Sequence, residues 1–257
     1  MGLEYDGTDF VGWQVQPNGR SIEGALASAA GFVAGAPVTV HGAGRTDAGV
    51  HALHQVAHFD TDVERTPRQW LLGINSNLPP DVAVRWVREM PPEFDARRSA
   101  VGRRYRYTVL QQPARPAILR RRVWWLRQPL DCGAMTAAAT AWLGERDFSA
   151  FRAADCQAKS PRRRLTGVTI AKRACGDGTI VTFEFVANAF LKHMVRNFVG
   201  TLVEVGSGGL EPAEAARILA RRDRREAGVT APPAGLALVE VLYPPQFAVP
   251  RYEDGPC

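Results

Sequence analysis

Asp47 has the setting that most favours chemistry, because it lies in a segment with glycines at 42, 44 and 49. The flanking residues 38–40 and 50–59 are rich in β-branched and apolar types and are predicted as strands, so the segment is a loop at a sheet edge. Arg45 precedes Asp47 by two positions, and in an extended loop its cation would favour the ionised carboxylate that a nucleophile or base needs. On spacing alone, an aspartate that only caps a turn is the better explanation.

Three histidines, His51, His54 and His58, follow this loop, with Asp60 nearby, and they raise the alternative of a metal-dependent hydrolase. In a strand His54 and His58 share one face and His51 takes the other. A single site would need a bend, and no cysteine or glutamate cluster completes it. The pattern therefore does not predict a metal.

Clustered arginines indicate a polyanionic partner, since the formal net charge is +6 and the sequence pI is about 9.5. Basic residues gather at 97–106, 115–127, 162–164 and 221–225. The triplets at 120–122 and at Arg162, Arg163 and Arg164 are predicted in loops, where they could hold phosphates. A solvated surface is the usual reason for one such run, but four of them favour nucleic acid.

The elements that must position Asp47 alternate between strands and helices. Strands are predicted at 3–5, 38–40, 50–59 and 82–87, and helices at 22–33, capped by Ser21, and at 67–77, opened by Thr66 and Pro67. This order is that of a split βαβ unit, whose mostly antiparallel sheet is backed by helices on one face.

The prolines at 91 and 92 mark a seam, and the predicted division is an N-terminal α/β domain at 1–92, a C-terminal α/β domain at 93–245 and a tail at 246–257. In the second part, strands are predicted at 104–110, 165–172, 179–187 and 236–242, and helices at 132–143, 190–205 and 211–222. Residues 176–178 favour a hairpin turn. Arg104 and Arg106 alternate with Tyr105, which gives that strand one polar and one aromatic face.

Composition narrows the class of protein. Hydrophobic residues make up 46% and charged residues 23% of 257, as in ordinary folded proteins, and no apolar run is long enough to span a bilayer. No basic and apolar leader precedes the first predicted strand. The four cysteines, Cys132, Cys156, Cys175 and Cys257, form no Cys-x-x-Cys pair, which favours a reducing cytosol over a zinc ribbon or a disulfide framework.

Seen as a string, residues 44–52 (GRTDAGVHA) resemble the signature loop of the TruA family of tRNA pseudouridine synthases. Further similar strings follow in the same order along residues 3–244: EYDG at 4–7, GWQ at 12–14, FDAR at 94–97, RYRY at 104–107, DFSAF at 147–151, FLKHMVRN at 190–197 and GLAL at 235–238. Several independent strings make a chance match improbable, and they raise the functional interpretation of Asp47 above the turn.

The resemblance implies the pseudouridine synthase fold, an α+β fold of two ferredoxin-like or RRM-like halves with a largely antiparallel sheet and a central cleft. It also implies a cytoplasmic homodimer that isomerises uridine to pseudouridine at positions 38, 39 and 40 of the tRNA anticodon arm. The reaction is redox-neutral and implies no cofactor and no metal.

Residue roles also follow from the resemblance. Asp47 matches the catalytic carboxylate, and Tyr105 matches a tyrosine that stacks on the target uracil; without the resemblance a core tyrosine would be the default. Arg45 matches an arginine that helps to hold the base out of the stack. Arg196 matches a basic residue that pairs with the carboxylate, and Leu236 matches an apolar residue that lines the uracil pocket.

Two positions depart from the family pattern: His54, where a small residue is common, and Val229, where a proline is often seen. A non-catalytic RNA-binding module is a further alternative, since RRM domains share the split βαβ frame. No string in the chain matches the aromatic RNP1 pattern of those domains.

Overall fold

The computed structural model describes residues 1–253, in which ten strands and five α-helices occur. Cys257 and the rest of 254–257, which belong to the predicted tail, lie outside the described residues. The chain divides into two compact units: unit 1 comprises Met1–Gly102 and Ala237–Cys257, and unit 2 comprises Arg103–Leu236. Both contain strands and helices, so the predicted mixed α/β fold with a mostly antiparallel sheet is confirmed.

Unit 1 is built around five paired strands. In chain order its elements are β1 (Gly2–Tyr5), α1 (Ile22–Ala34), β2 (His41–Gly42), β3 (His51–His58), α2 (Pro67–Asn77), β4 (Val82–Trp86) and, after unit 2, β10 (Leu236–Leu242). The strand β1 lies between β4 and β3 and is antiparallel to both. β2 pairs antiparallel with one end of β3, which completes the split βαβ arrangement that the sequence predicts, and β10 pairs parallel with the other end of β3.

The helices of unit 1 begin where the predicted caps stand. The Ser21 hydroxyl accepts a hydrogen bond from the Gly24 amide at 3.2 Å. Thr66 and Gln69 exchange the two hydrogen bonds of a capping box, and Pro67 occupies the first position of α2. These bonds satisfy amides that a helix start otherwise leaves without partners.

The strands of unit 2 pair antiparallel in the order β5, β9, β8, β7, and β6 pairs parallel with β5. Its elements are β5 (Gly102–Gln111), β6 (Trp124–Leu126), α3 (Cys132–Thr140), β7 (Gly144–Asp147), β8 (Arg162–Cys175), β9 (Gly178–Ala187), α4 (Met194–Gly206) and α5 (Glu214–Arg221). The predicted hairpin turn is confirmed: Cys175 pairs with Gly178, and Gly176 takes a φ of +59° that suits glycine. Phe198 of α4 contacts the rings of Trp142, Phe148, Phe151 and Phe185 at the centre of this core.

Several predicted boundaries differ from the structure. The strand predicted at 38–40 is absent from the described ladder, and β2 pairs with β3 only at 41–42. The helix predicted from residue 190 begins at Met194, because His193 has a left-handed φ of 63° that a right-handed helix cannot continue. The triplet Arg162–Arg164 was predicted in a loop, which is wrong, since it opens β8 and pairs with β7.

The closing segment packs in unit 1, so the two units of the structure do not coincide with the predicted domains. Phe247 lies edge-on against Phe94 at a centroid distance of 5.2 Å, and Arg88 donates to the Ala248 carbonyl at 2.7 Å. Residues 93–102 also belong to unit 1, where the Val101 amide bonds to the Leu242 carbonyl at 2.8 Å. β10 therefore returns the chain to the unit in which it began.

Candidate active site

The Asp47 loop connects β2 to β3 and is held by backbone hydrogen bonds on both of its sides. The Trp13 amide donates to the Thr46 carbonyl at 3.0 Å, and the Val50 amide donates to the Asp47 carbonyl at 3.1 Å. Gly12 forms a bridge with Asp47. These bonds use main-chain atoms, so they fix the loop without engaging the Asp47 carboxylate.

Only glycine fits at position 12, where the N-terminal part of the chain packs against the Asp47 loop. The φ of Gly12 is +114°, and a Cβ atom there would lie 2.7 Å from the Thr46 carbonyl oxygen. Any larger residue would have to displace the loop backbone. The string GWQ at 12–14 thus has a structural reason to accompany the Asp47 loop.

A buried polar cluster of Tyr5, Thr46 and Gln55 supports the loop from within unit 1. The Tyr5 hydroxyl hydrogen-bonds the Thr46 hydroxyl at 2.8 Å. Gln55 donates to the Gly44 carbonyl at 2.7 Å and contacts the Tyr5 hydroxyl at 3.4 Å. Burial raises the pKa of Tyr5 to about 12, so its hydroxyl remains a neutral hydrogen-bonding group.

The solvent exposure of the side chains alternates from Arg45 to Asp47, as expected for two residues that lie two positions apart in an extended loop. Thr46 is buried, whereas Arg45 is exposed and Asp47 is half-buried. The buried threonine ties the loop to the sheet and leaves the two charged neighbours nearer to solvent. Asp47 and Arg45, both predicted site residues, therefore lie together in unit 1.

Tyr105, the predicted stacking residue, lies in β5 of unit 2, opposite Phe185 of β9. Its ring meets that of Phe190 edge-on, with the centroids 5.0 Å apart and an interplanar angle of 81°. Only 8% of the residue is exposed. Phe190 therefore orients the Tyr105 ring, a support that the sequence did not single out.

Arg104 and Arg106, predicted as RNA contacts, point toward the same acidic residue on β9. Arg106 donates to Glu184 from Nε at 2.7 Å, and an Arg104 nitrogen lies 3.7 Å from the other carboxylate oxygen. The alternation on β5 is confirmed, because the residues on either side of Tyr105 share Glu184. A phosphate that binds here would compete with this carboxylate.

Arg196 lies in the first turn of α4, where its Nε donates to the Ala231 carbonyl at 2.6 Å. The Ala231 amide returns a bond to the Arg196 carbonyl at 3.2 Å. The guanidinium is thus held against residues 227–231, which run along the helix. At Gly200 a Cβ would lie 1.7 Å from the Val229 carbonyl oxygen, so the segment and α4 pack backbone to backbone.

Asn197, next to Arg196, is fully buried and links three segments of unit 2. Its amide nitrogen donates to the Phe151 carbonyl at 2.8 Å, and its oxygen accepts from Thr230 at 2.7 Å and from Arg224 at 3.0 Å. A fully satisfied buried network of this kind restricts the segments that it joins. Sequence reasoning missed Asn197, although the string at 190–197 contains it.

Leu236 is buried at the start of β10, directly after a segment that the Tyr107 side chain restrains. The Tyr107 hydroxyl donates to the Pro232 carbonyl at 2.8 Å, and burial raises the pKa of this tyrosine well above its usual value. A Cβ at Gly235 would lie 2.6 Å from the Tyr107 ring. Tyr105, Arg196 and Leu236 are all in unit 2.

The three arginines Arg162–Arg164 lie at the start of β8 and differ in their exposure to solvent. Arg162 and Arg164 are exposed, and Arg164 forms a 3.4 Å ion pair with Glu145. Arg163 donates to the carbonyls of Ser160 and Arg162. Strand alternation therefore presents Arg162 and Arg164 to solvent. In the loop at 120–122 all three arginines are exposed.

The three histidines take separate roles within unit 1. The Gly7 amide donates to His51, the Trp86 indole donates to His54, and the Ala96 amide donates to His58. Burial lowers the pKa of His54 to about 4, which keeps its ring neutral. Within residues 1–253, no three histidine, cysteine, aspartate or glutamate side chains are grouped as metal ligands.

Comparison with known proteins identifies the family. Residues 3–97 and 138–244 match the family described as tRNA pseudouridine synthase. The chain belongs to this family. Its similarity to individual relatives extends over nearly the whole length, and each of the following is named tRNA pseudouridine synthase A. The Methylococcus capsulatus protein is 49% identical, and the match covers 98% of this chain and 91% of that relative. The Coxiella burnetii protein is 47% identical over 100% of this chain and 97% of that relative. The Xanthomonas euvesicatoria protein is 50% identical over 97% of this chain and 96% of that relative.

Membership in the tRNA pseudouridine synthase family confirms the resemblance seen in the motifs, the fold class and the assignment as an isomerase. Both units contribute to the matched residues. None of the helices in the described part of the chain has the length and apolar character needed to cross a membrane.

Proposed function

We propose that this chain isomerises uridine to pseudouridine at positions 38, 39 and 40 of the tRNA anticodon arm, with Asp47 as the catalytic carboxylate. The observation that carries the proposal is the main-chain anchoring of the Asp47 loop in a chain of this family. These main-chain bonds hold the backbone of Asp47 in place, and with it the position from which its carboxylate acts. Such preorganisation lets a charged group act without first rearranging.

The reaction needs no oxidant, reductant or metal, because one bond replaces another within the same nucleotide. The C1′–N1 glycosidic bond breaks, the uracil turns, and C5 joins C1′ while the C5 proton is lost and N1 becomes protonated. An ionised Asp47 can start this sequence at the sugar, at the uracil or at the C2′ proton. Each route requires the carboxylate form.

The remaining site residues have proposed roles that follow their chemistry. Tyr105 stacks on the extruded uracil and takes part in proton transfer from C5, Leu236 lines the uracil pocket, and Arg45 helps to keep the base out of the RNA stack. Arg196 supplies positive charge that favours an ionised carboxylate. Contacts to the RNA backbone come from Arg104, Arg106, Arg162, Arg163 and Arg164.

We also propose that the enzyme acts as a homodimer in the cytoplasm and uses no cofactor. The formal net charge of +6 supports tRNA as the partner, because phosphate contacts dominate protein–RNA affinity.

The decisive experiment incubates the protein with unmodified tRNA transcripts and maps pseudouridine by carbodiimide labelling and primer extension. We expect new stops that report positions 38, 39 and 40, with the same yield when EDTA is present. Stops elsewhere in the tRNA would contradict the proposed site of action. Loss of all product with EDTA would show that the reaction depends on a divalent cation and would contradict the proposal that it uses no metal.

The stacking role of Tyr105 is tested by a pair of substitutions. Tyr105→Phe keeps the ring and Tyr105→Leu removes it, so we expect the leucine variant to lose more turnover, by about tenfold, as base stacking contributes roughly 1–3 kcal/mol. Single-turnover rates on one transcript provide the comparison. Equal losses would show that the hydroxyl, and not the ring face, is what matters.

The loop support is tested with Tyr5→Phe, which removes the hydrogen bond to Thr46. We expect a loss of about 1 kcal/mol in the free energy of unfolding and a lower turnover number, because the Asp47 loop gains freedom. Tyr243→Phe is the matched control, since that hydroxyl bonds the Ala96 carbonyl of the same unit. The control should lose similar stability in a urea titration and keep its turnover; equal turnover in both variants would rule out a positioning role for Tyr5.

A further inference from the structure

Unit 2 contains an open cavity of about 460 Å³ whose polar lining is dominated by arginine. We call it the arginine pocket and define it by Ser149, Arg152, Arg222, Asp223 and Arg224. None of these residues was assigned a role in the reaction above. The pocket therefore requires an explanation of its own.

Two stretches of unit 2 bring the guanidinium groups to this cavity, one with Arg152 and the other with Arg222 and Arg224. Arg152 follows the short 3₁₀ helix Ser149–Phe151, Arg222 caps the C-terminal end of α5 with a left-handed φ of 58°, and Arg224 begins the 3₁₀ helix Arg224–Glu226. Positive φ at a non-glycine residue is uncommon. It places Arg222 at the point where the chain leaves α5 toward Arg224.

Two of the pocket arginines, Arg224 and Arg152, are restrained by hydrogen bonds to neighbours in unit 2. Arg224 donates to the Ala227 carbonyl and to the side-chain oxygens of Asn197 and Thr230, each at 3.0 Å. Arg152 donates to the carbonyl of Cys156. Guanidinium groups fixed in this way lose less entropy when they bind a ligand.

The acidic residues near the pocket are already engaged and do not neutralise it. Asp147 accepts from the amide and hydroxyl of Ser149 and lies 3.4 Å from Arg222, while Asp223 pairs with Arg225 at 2.6 Å. The lining itself holds three arginines and one carboxylate, Asp223, while Glu204 and Glu226 act on Arg224 and Arg225 from outside it. The lining is therefore positively charged, which suits a phosphate group.

We propose that the arginine pocket binds a backbone phosphate of the tRNA. The assignment rests on the proposed function for the identity of the RNA. The planar fork of arginine matches the oxygens of a phosphate, and an open cavity admits a phosphodiester that is part of a chain. Arg222 and Arg224 belong to the basic stretch 221–225, and the pocket adds Arg152, which lies outside all four arginine-rich stretches.

The test is the double substitution Arg152→Ala with Arg222→Ala, measured as the dissociation constant for an unmodified tRNA transcript over a series of KCl concentrations. We expect binding about tenfold weaker at low salt and a slope of log K against log salt that is smaller by about one unit, as loss of one phosphate contact predicts. The corresponding double lysine variant keeps both charges and should retain most of the slope.

Arg173→Ala is the matched control, because Arg173 is an exposed arginine on β8 of the same unit. It should change the slope much less than the double variant. Equal changes of slope in the control and in the double variant would show a general effect of charge and would contradict phosphate binding by the arginine pocket. If the double variant unfolds, the single Arg222→Ala variant replaces it, because 59% of that side chain is exposed, and it must weaken binding more than the control.

Failure of this proposal is distinguishable from failure of the proposed function. Binding is measured without product, so weaker binding by the pocket variants stands even if the wild-type protein forms no pseudouridine at 38–40. Conversely, product at those positions together with unchanged tRNA binding by the pocket variants would contradict phosphate binding by the arginine pocket and leave the proposed enzymatic function intact. Competition by polyglutamate at equal charge concentration would point to an acidic peptide instead.

Discussion

Asp47→Ala is expected to abolish pseudouridine formation while the dissociation constant for tRNA stays within about twofold, because phosphate contacts supply most of the affinity. The loop should keep its conformation, since its anchoring bonds to Trp13 and Val50 are made by main-chain atoms. Single-turnover assays and filter binding on the same transcript provide the two measurements.

Two further variants make this result specific. Asp47→Asn keeps the shape and removes the charge, so it should be as inactive as alanine if the ionised carboxylate is what reacts. Asp60→Asn removes a carboxylate from an exposed position after β3 and should retain full activity. If Asp47→Ala loses tRNA binding together with activity, Asp47 holds the fold of the loop and the catalytic role is wrong.

Asn197→Ala is expected to cause the largest loss of stability, about 3 kcal/mol in the free energy of unfolding. The substitution leaves Arg224, Thr230 and the Phe151 carbonyl each without one hydrogen-bond partner in the buried network. An unsatisfied buried polar group costs roughly 1–3 kcal/mol, and the groups in a network do not add simply. Urea unfolding followed by fluorescence measures the change.

The same variant should also lower turnover, because Asn197 adjoins Arg196 and bonds Thr230, the neighbour of the Ala231 carbonyl that Arg196 contacts. Asn77→Ala is the matched control, since its exposed side chain makes a helix-end bond to the Gly73 carbonyl. We expect that control to lose less than about 0.5 kcal/mol, as exposed substitutions usually do. A stability loss in Asn197→Ala no larger than in the control would contradict the buried network.

Much of the fold was predictable wherever local chemistry decides the structure. The bounds of α2 followed from Thr66 and Pro67 at its start and the prolines after residue 78, and the β8–β9 hairpin followed from its glycine-rich turn. The start of α4 was not predictable, because the 3.6-residue pattern continues back to Phe190 while the left-handed backbone of His193 ends the helix. The short strands β6 and β7 carry too few residues to show a period.

The candidate site was predictable only in part. The resemblance located Asp47 and Arg45, but the support of the loop joins Tyr5 to Thr46 and Gln55 across 41 and 50 positions of the chain. Neither a helical nor a strand pattern of hydrophobic residues predicts a contact between residues so far apart in the chain. The β8 position of Arg162–Arg164 was missed for a related reason, since three consecutive charged residues look like a loop until their pairing partner on β7 is known.

Unit 1 is assembled from both ends of the chain, and this has a consequence for biosynthesis. During translation, β1, β3 and β4 leave the ribosome first, but β10 can join β3 only after the whole of unit 2 has been made. Unit 2, by contrast, is one continuous stretch and can fold as soon as it emerges. Because synthesis runs from the N-terminus to the C-terminus, one edge of β3 stays unpaired until β10 has been made. Pairing of β10 with β3, beside the Asp47 loop, is therefore one of the last steps of folding.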